Sequence, residues 1–291
     1  MKIMRVSAVR AVSVLLMLLT ALSLCALFSV PAIRVQAADD TVAVSSDTSE
    51  TEAEPNAFEE FIEDFKQKFE RTFIREDRWK MFLNGLLVTL KITLFSGVLG
   101  IVIGALTAAI RFTYDKTGRL GILNAIAKLY ITVIRGTPST VQLLITYYVI
   151  FASVNISSTA VAIAAFGLNS GAYVAEIVRS GMAAVDGGQL EAGRSLGFGY
   201  AQSMWYIIIP QAVKNILPAL GNEFIVLLKE TSISGYIAIT DLTRAGYQVQ
   251  SVTYDALMPL LAVAAIYLVL VMIFTRFVTL LERRLARSDR S

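Results

Sequence analysis

Polar side chains at helical spacing inside an apolar stretch are the residues of this chain best suited to handle a solute. In the apolar run Ser158–Val178, the side chains of Phe166, Asn169, Tyr173 and Glu176 fall at i, i+3, i+7 and i+10, which is one stripe of a helix. An amide, a phenol and a carboxylate on one stripe could meet the ammonium group and polar side chain of a passing solute. The alternative is that the amide and the carboxylate only pair with neighbouring helices.

A second polar group opens the preceding apolar run at Arg135-Gly-Thr-Pro138. Proline is tolerated in a first helical turn, and Gly136 permits an irregular backbone. The Arg135 guanidinium suits a carboxylate, although an arginine at a helix end equally serves as an interfacial anchor. The candidates for a polar solute path are therefore Arg135, Thr137, Gln142, Asn169, Ser170, Tyr173 and Glu176.

A polar, glycine-punctuated segment at about 185–212 separates two apolar runs without ending a domain. Asp186 and Gln189 predict a helix start by reciprocal capping, and Gly197 predicts its end. A helix of about ten residues covers roughly 15 Å, half of what a bilayer demands, so it must lie outside the membrane. Its small residues beside a single acid are typical of a surface for close contact with another protein. The candidate docking residues are Glu191, Ala192, Gly193, Leu196 and Gly197.

The composition identifies a membrane protein of 291 residues. Apolar residues make up 55% of the chain, charged residues only 17%, and the mean hydropathy is +0.62. The small net charge of +3 conceals a strong asymmetry, because Asp39 to Asp64 holds ten acids and no lysine or arginine. The basic part of the chain is therefore the membrane part.

Several classes of active site are excluded. Cys25 is the single cysteine and histidine is absent, which rules out an internal disulfide and a histidine-based catalytic or zinc site. No Gly-x-x-x-x-Gly-Lys-Ser/Thr loop is present to cradle phosphates, so we expect no ATP hydrolysis by this chain. We predict no catalytic residues, no metal and no cofactor.

The first 37 residues follow the layout of a secretory signal. Three basic residues precede an apolar run from Ala11 to Val30, and a small-residue site, Val35-Gln-Ala37, follows it. We favour cleavage after Ala37. The run is long for a cleaved signal, so an uncleaved signal anchor is the alternative.

Residues 38–80 are predicted to be extracytoplasmic. Their acidic first part has few apolar side chains to bury, which predicts disorder to about Asn56. From Ala57, apolar residues recur at helical spacing and predict an amphipathic helix. This helix is either a lead-in to the first span or a surface element against the membrane or the rest of the chain. The apolar side chains are Phe58, Phe61, Ile62, Phe65 and Phe69.

Residues 81–285 are predicted to form a transmembrane domain with five spans, followed by a cytoplasmic tail at 286–291. Counted from an external start, every basic cluster falls on a cytoplasmic loop, and so does the segment that contains Glu191. Glycines spaced by four, such as Gly100 and Gly104, predict close packing between spans. The spans are placed near Phe82–Ile110, Ile134–Val154, Ser158–Val178, Leu217–Ile239 and Ala256–Leu281.

Five motifs in order, within about Asn84 to Leu281, resemble the permease subunits of bacterial ABC importers, in particular the polar amino acid branch. The Gln189-Leu-Glu-Ala-Gly193 spacing is similar to the Glu-Ala-Ala signature of that family, with Gly193 where a second alanine is usual. The other motifs are Arg135-Gly-Thr-Pro138, Leu168-Asn-Ser-Gly-Ala-Tyr-Val-Ala-Glu176, Pro210-Gln-Ala212 and Leu227-Leu-Lys-Glu-Thr-Ser232.

The resemblance implies an all-α integral membrane protein with a five-span, type I importer-like core after a signal sequence or anchor. It implies alternating access: an extracytoplasmic amino-acid-binding protein delivers the solute, and a dimer of ATPase subunits drives the switch through the segment around Glu191. The remaining expected partners are a second permease chain, identical or related, and membrane lipid, but no nucleic acid. The expected location is the bacterial cell membrane.

Two other classes of function remain open from the sequence. An ion-coupled secondary transporter would usually show repeated halves, and none is visible. A membrane enzyme would need a catalytic set, but the carboxylates and hydroxyls of this chain are not arranged with a base.

Overall fold

The computed structural model describes residues 57–287, which belong to one compact unit of the chain. The predicted signal, the acidic segment to residue 56 and the last four residues lie outside this range. All the elements described are helices. They are α1 Ala57–Phe69, α2 Trp79–Thr117, α3 Gly121–Gly136, α4 Ser139–Ile145, α5 Ser158–Ala183, α6 Gly187–Ser195, α7 Tyr200–Ser203, α8 Ile209–Glu230, α9 Leu242–Thr253 and α10 Leu257–Arg287.

Short turns of tighter or wider helix connect several of these elements. Single π-helical turns, Glu70–Ile74, Thr146–Ile150 and Met204–Ile208, follow α1, α4 and α7. A 3-10 helix, Thr231–Ile237, continues α8.

The most extensive packing between two described helices joins α2 to α5, through the glycines predicted to serve this purpose. A Cβ on Gly104 would lie 2.5 Å from the Cβ of Val174, and one on Gly171 would lie 2.9 Å from Cγ2 of Ile103. Gly100 faces Ser170 in the same way, and Ser96 donates a hydrogen bond to the backbone oxygen of Ile163. Only residues without side chains let the two backbones approach this far.

Three of the described helices are long and apolar enough to cross a membrane: Trp79–Thr117, Ser158–Ala183 and Leu257–Leu285. They correspond to the first, third and fifth predicted spans. The helix α2 is longer than the first predicted span, because it continues for seven residues beyond Ile110.

The second and fourth predicted spans differ from the helices observed. The helix breaks at Thr137 and Pro138, whose extended backbone joins α3 to α4, so the motif that starts at Arg135 ends one helix and begins another. Because proline disfavours helix at the preceding residue, this break is the direct effect of Pro138. The fourth run begins earlier than predicted, since α8 starts at Ile209 with Pro210 in its first turn.

Candidate functional site

The predicted path residues lie on α5 and on the adjoining ends of α3 and α4, which pack against it. The Asn169 amide donates to Oε1 of Gln142 at 2.9 Å. Gln142 Nε2 in turn donates to Oγ1 of Thr137 at 2.7 Å and to the backbone oxygen of Ile134 at 2.7 Å. Gln142 therefore supplies a hydrogen bond to the backbone at the helix break before Pro138. Thr137, Gln142 and Asn169 form one hydrogen-bonded network.

A second network surrounds Glu176, two turns further along α5. Its carboxylate accepts from Arg111 of α2 at 2.8 Å and from Arg179 at 2.8 Å, while Arg135 approaches to 3.8 Å. The Arg135 guanidinium also lies 5.3 Å from the centre of the Tyr173 ring, within the range of a cation–π contact. Three guanidinium groups thus share one carboxylate.

This arrangement favours the alternative role of Glu176, which is pairing with neighbouring helices. A carboxylate already paired with three arginines has no vacant place for the ammonium group of a solute, and the cluster carries excess positive charge. The pairing with neighbouring helices, which the sequence left as an alternative, is present at both Asn169 and Glu176. Sequence reasoning missed Arg111 and Arg179 here because it read them only as cytoplasmic loop charges.

Glu223 is a further residue that the sequence analysis overlooked. It lies on α8 and accepts a hydrogen bond of 2.9 Å from the Ser170 hydroxyl, next to Asn169 on α5. The carboxylate is half-buried. An acid within the apolar run that begins at Leu217 was the signal that could have found it, since charged groups at membrane depth mark functional sites.

The second candidate site is the short helix α6 and the segment that follows it. The Asp186 side chain caps the helix by accepting from the backbone N–H of Gly188 at 2.8 Å. The reciprocal cap expected from Gln189 does not form, because its side chain accepts from Gln211 instead. Gly197 adopts a φ of +88°, which ends the helix as predicted.

The docking candidates divide into an exposed group and a buried one. Glu191, Ala192 and Gly197 are exposed, and the Leu196 side chain is 78% exposed. Gly193, by contrast, is buried. A Cβ there would lie 2.7 Å from Cδ1 of Ile207 and 2.9 Å from the Ser203 hydroxyl. The expectation that Gly193 belongs to the contact surface was therefore wrong, because this glycine lets α6 pack on the turn behind it.

The aromatic residues after α6 complete this exposed segment. Phe198 and Tyr200 are 41% and 39% exposed. Partial burial raises the pKa of the Tyr200 phenol above its ordinary value. Leu196, Phe198 and Tyr200 together offer apolar surface beside the charge of Glu191.

Comparison with known families matches residues 100–287 to the binding-protein-dependent transport system inner membrane component. Among curated proteins, the arginine transport system permease protein ArtQ of Bacillus subtilis is 40% identical over 71% of this chain and 93% of its own length. The glutamine transport system permease protein GlnP of Escherichia coli K12 is 35% identical over 67% of this chain and 90% of its own length.

Solved structures give the same match at the level of the fold. The crystal structure of an amino acid ABC transporter with histidines superposes with a TM-score of 0.67 and 43% identity, covering 77% of this chain and 98% of that one. An inward-facing structure of the MetNI methionine ABC transporter superposes with a TM-score of 0.62 at 21% identity, covering 73% of this chain and 99% of that one.

Proposed function

The chain belongs to the family of binding-protein-dependent transport system inner membrane components, and from that premise we propose how it works as an amino acid ABC transport permease. The relatives named for arginine and glutamine indicate polar amino acids as the substrate class. The single observation that carries the solute path is the pair of polar contacts near the middle of α5. Asn169 joins Gln142 on one side, and Ser170 joins Glu223 on the other.

The charges along this face of α5 suit an amino acid. Arg135 is 42% exposed and only loosely paired, so it can attract a carboxylate. Glu223 has a neutral hydroxyl as its hydrogen-bond partner, so it can attract an ammonium or guanidinium group. The two opposite charges of the solute would thus be recognised by different helices. Tyr173 and the amides of Asn169 and Gln142 supply neutral polar contacts between them.

Replacing Glu223 tests this path. In proteoliposomes that contain the complete transporter, Glu223→Gln should reduce uptake of labelled arginine more than uptake of labelled glutamine, because it removes a negative charge from a poorly hydrated site. Glu282→Gln is the matched control, since that acid is exposed near the end of α10. An unchanged arginine-to-glutamine ratio in Glu223→Gln would remove Glu223 from the path.

Energy for the transport cycle is proposed to come from a dimer of ATPase subunits that docks on the α6 segment. The exposed Leu196 and the small Ala192 offer an apolar contact surface, with Glu191 as a charged neighbour. A second permease chain, identical or related, would close the path on the other side, and an extracytoplasmic binding protein would deliver the amino acid. ATP can drive the switch between the two access states of the permease only if the ATPase docks differently in each state.

The buried and exposed positions of α6 allow a paired test of docking. Ala192→Trp and Leu196→Asp alter exposed surface, so we expect normal membrane insertion, loss of ATPase co-purification and loss of uptake. Gly193→Trp should instead lower the thermal stability of the permease itself, because it forces a side chain into Ile207 and Ser203. Full uptake with an intact ATPase complex in Ala192→Trp would rule out docking at this surface.

We propose five crossings, with α2, the α3–α4 pair, α5, α8 and α10 as the crossing units. This order places residues 38–80 and Tyr254 outside and α6 in the cytoplasm.

Tyr254, between α9 and α10, is 95% exposed. With Cys25 replaced by serine, Tyr254→Cys in cells stripped of any outer membrane should react with an impermeant maleimide. Ala192→Cys should react only after permeabilisation. Labelling of Ala192→Cys from outside would overturn the topology.

A further inference from the structure

We propose that the amphipathic helix α1 lies in the interface between water and lipid, with its apolar side chains inserted among the lipid. Most of its apolar side chains stay exposed: Phe58 is 72%, Ile62 48% and Phe65 50% exposed. Phe69, the last residue of the helix, packs on Phe73 with ring centres 4.8 Å apart. The opposite side carries acids such as Glu60 and Glu63. This helix precedes the segment matched by the family, which begins at residue 100.

Specific hydrogen bonds and a ring contact order the link between α1 and the first span. Arg78 is only 7% exposed, and its guanidinium donates to the backbone oxygen of Arg71 at 2.7 Å and to Glu76 at 3.0 Å. Phe73 packs on Phe82 of α2 with ring centres 5.5 Å apart. These contacts fix the end of α1 against the start of the span, which is more than a simple lead-in needs.

The start of the span indicates that lipid is what covers α1. Trp79 is 47% exposed with the ammonium of Lys80 5.7 Å from its ring, the pairing typical of the membrane interface. From Leu83 and Leu87, apolar side chains of α2 face outward. Phe69 at the end of α1 packs on Phe73, and Phe73 packs on Phe82, so the end of α1 lies beside the start of the span.

The charge of α1 defines the kind of lipid contact. Residues 57–69 contain four acids and two lysines, so the helix has no electrostatic attraction to anionic lipid. Its insertion must depend on apolar area alone. The side of the membrane follows from the topology proposed above, but the contact with lipid does not depend on it.

Spin labels on the full chain, reconstituted in phosphatidylcholine nanodiscs with Cys25 replaced by serine, test this placement. Labels at Ile62→Cys and Phe65→Cys should collide with oxygen, which concentrates in lipid, more than with a water-soluble nickel chelate. The oxygen-to-nickel ratio should exceed that at Glu63→Cys and Gln67→Cys several-fold. Adding phosphatidylglycerol or salt should leave these ratios unchanged.

Three results would overturn the proposal. High nickel collision at all four positions would mean that the helix is in water. Low collision with both reagents at Ile62→Cys and Phe65→Cys would mean that protein, such as a second copy of the chain, covers the apolar side. Oxygen contact that requires anionic lipid would mean that charge holds the helix in place. Using two positions on each side ensures that one misfolded variant does not decide the outcome.

Discussion

The helices α5 and α10 are both long enough to cross the membrane, yet they occupy opposite environments. In the most apolar stretch of α5, 61% of the residues are buried inside the fold, whereas in α10 the share is 11%. Between Leu257 and Arg287, α10 has no glycine, while α5 contains glycines, Asn169 and Glu176. The helix with more small residues, and with polar groups in the middle of its apolar stretch, is therefore the central one.

The difference follows from what drives helices together in lipid. Lipid tails are as apolar as leucine, so leucine-rich surfaces gain little by leaving them. Close backbone approach and polar contacts do favour association. The glycines and paired polar groups of α5 provide both, which explains why it is central and why the site lies on it. The apolar α10 has an outer surface suited to lipid.

The largest effect should come from filling the space between α2 and α5. Gly171→Leu would force a side chain into Ile103 and the Tyr130 hydroxyl, and we expect a loss of about 3 kcal/mol or more of stability. The matched change on α10, Ala264→Leu, adds apolar volume at an exposed position. Thermal denaturation of the purified permeases should show a large loss for the first variant and almost none for the second.

The next effect should come from the ionic cluster. Glu176→Gln leaves the guanidiniums of Arg111, Arg135 and Arg179 without their shared carboxylate, at a cost of about 1–3 kcal/mol. Because this carboxylate is already occupied, uptake of arginine and glutamine should fall together. A selective loss of arginine uptake would show instead that Glu176 meets the solute directly.

The smallest effect should come from the lipid-facing side of α10. Leu268 is 60% exposed, and Leu268→Val removes one methylene group from that exposed surface. We expect a change within about 0.5 kcal/mol and unaltered uptake. A strong loss of uptake with normal stability would indicate that this surface of α10 contacts the second permease chain.

The sequence was sufficient for features that depend on local chemistry. Glycine spacing predicted the packing of α2 on α5, Gly197 predicted the end of α6, and the apolar periodicity from Ala57 predicted α1. The ordered motifs identified the family. Each of these follows from the properties of neighbouring residues.

Features that depend on contacts between distant segments could not be predicted. Arg111 and Glu176 are 65 positions apart, and only the packing of α2 on α5 brings them together. Gly193 was expected on the surface because Ile207, whose side chain covers it, belongs to a separate helical turn later in the chain. The break at Thr137 and Pro138 was not predicted, because the Arg135-Gly-Thr-Pro138 motif was interpreted as the start of a single span.

Cysteine labelling along α5 tests the central claim, that one face of this helix lines the solute path. In the complete transporter with Cys25 replaced by serine, Asn169→Cys and Tyr173→Cys should react with small water-soluble reagents during ATP turnover. Saturating amino acid and binding protein should slow that reaction. Leu168→Cys and Ala175→Cys on the other faces, and Leu268→Cys on α10, should react far less. Equal reaction at all these positions, with no protection by amino acid, would contradict the account and leave Asn169 and Tyr173 as packing residues.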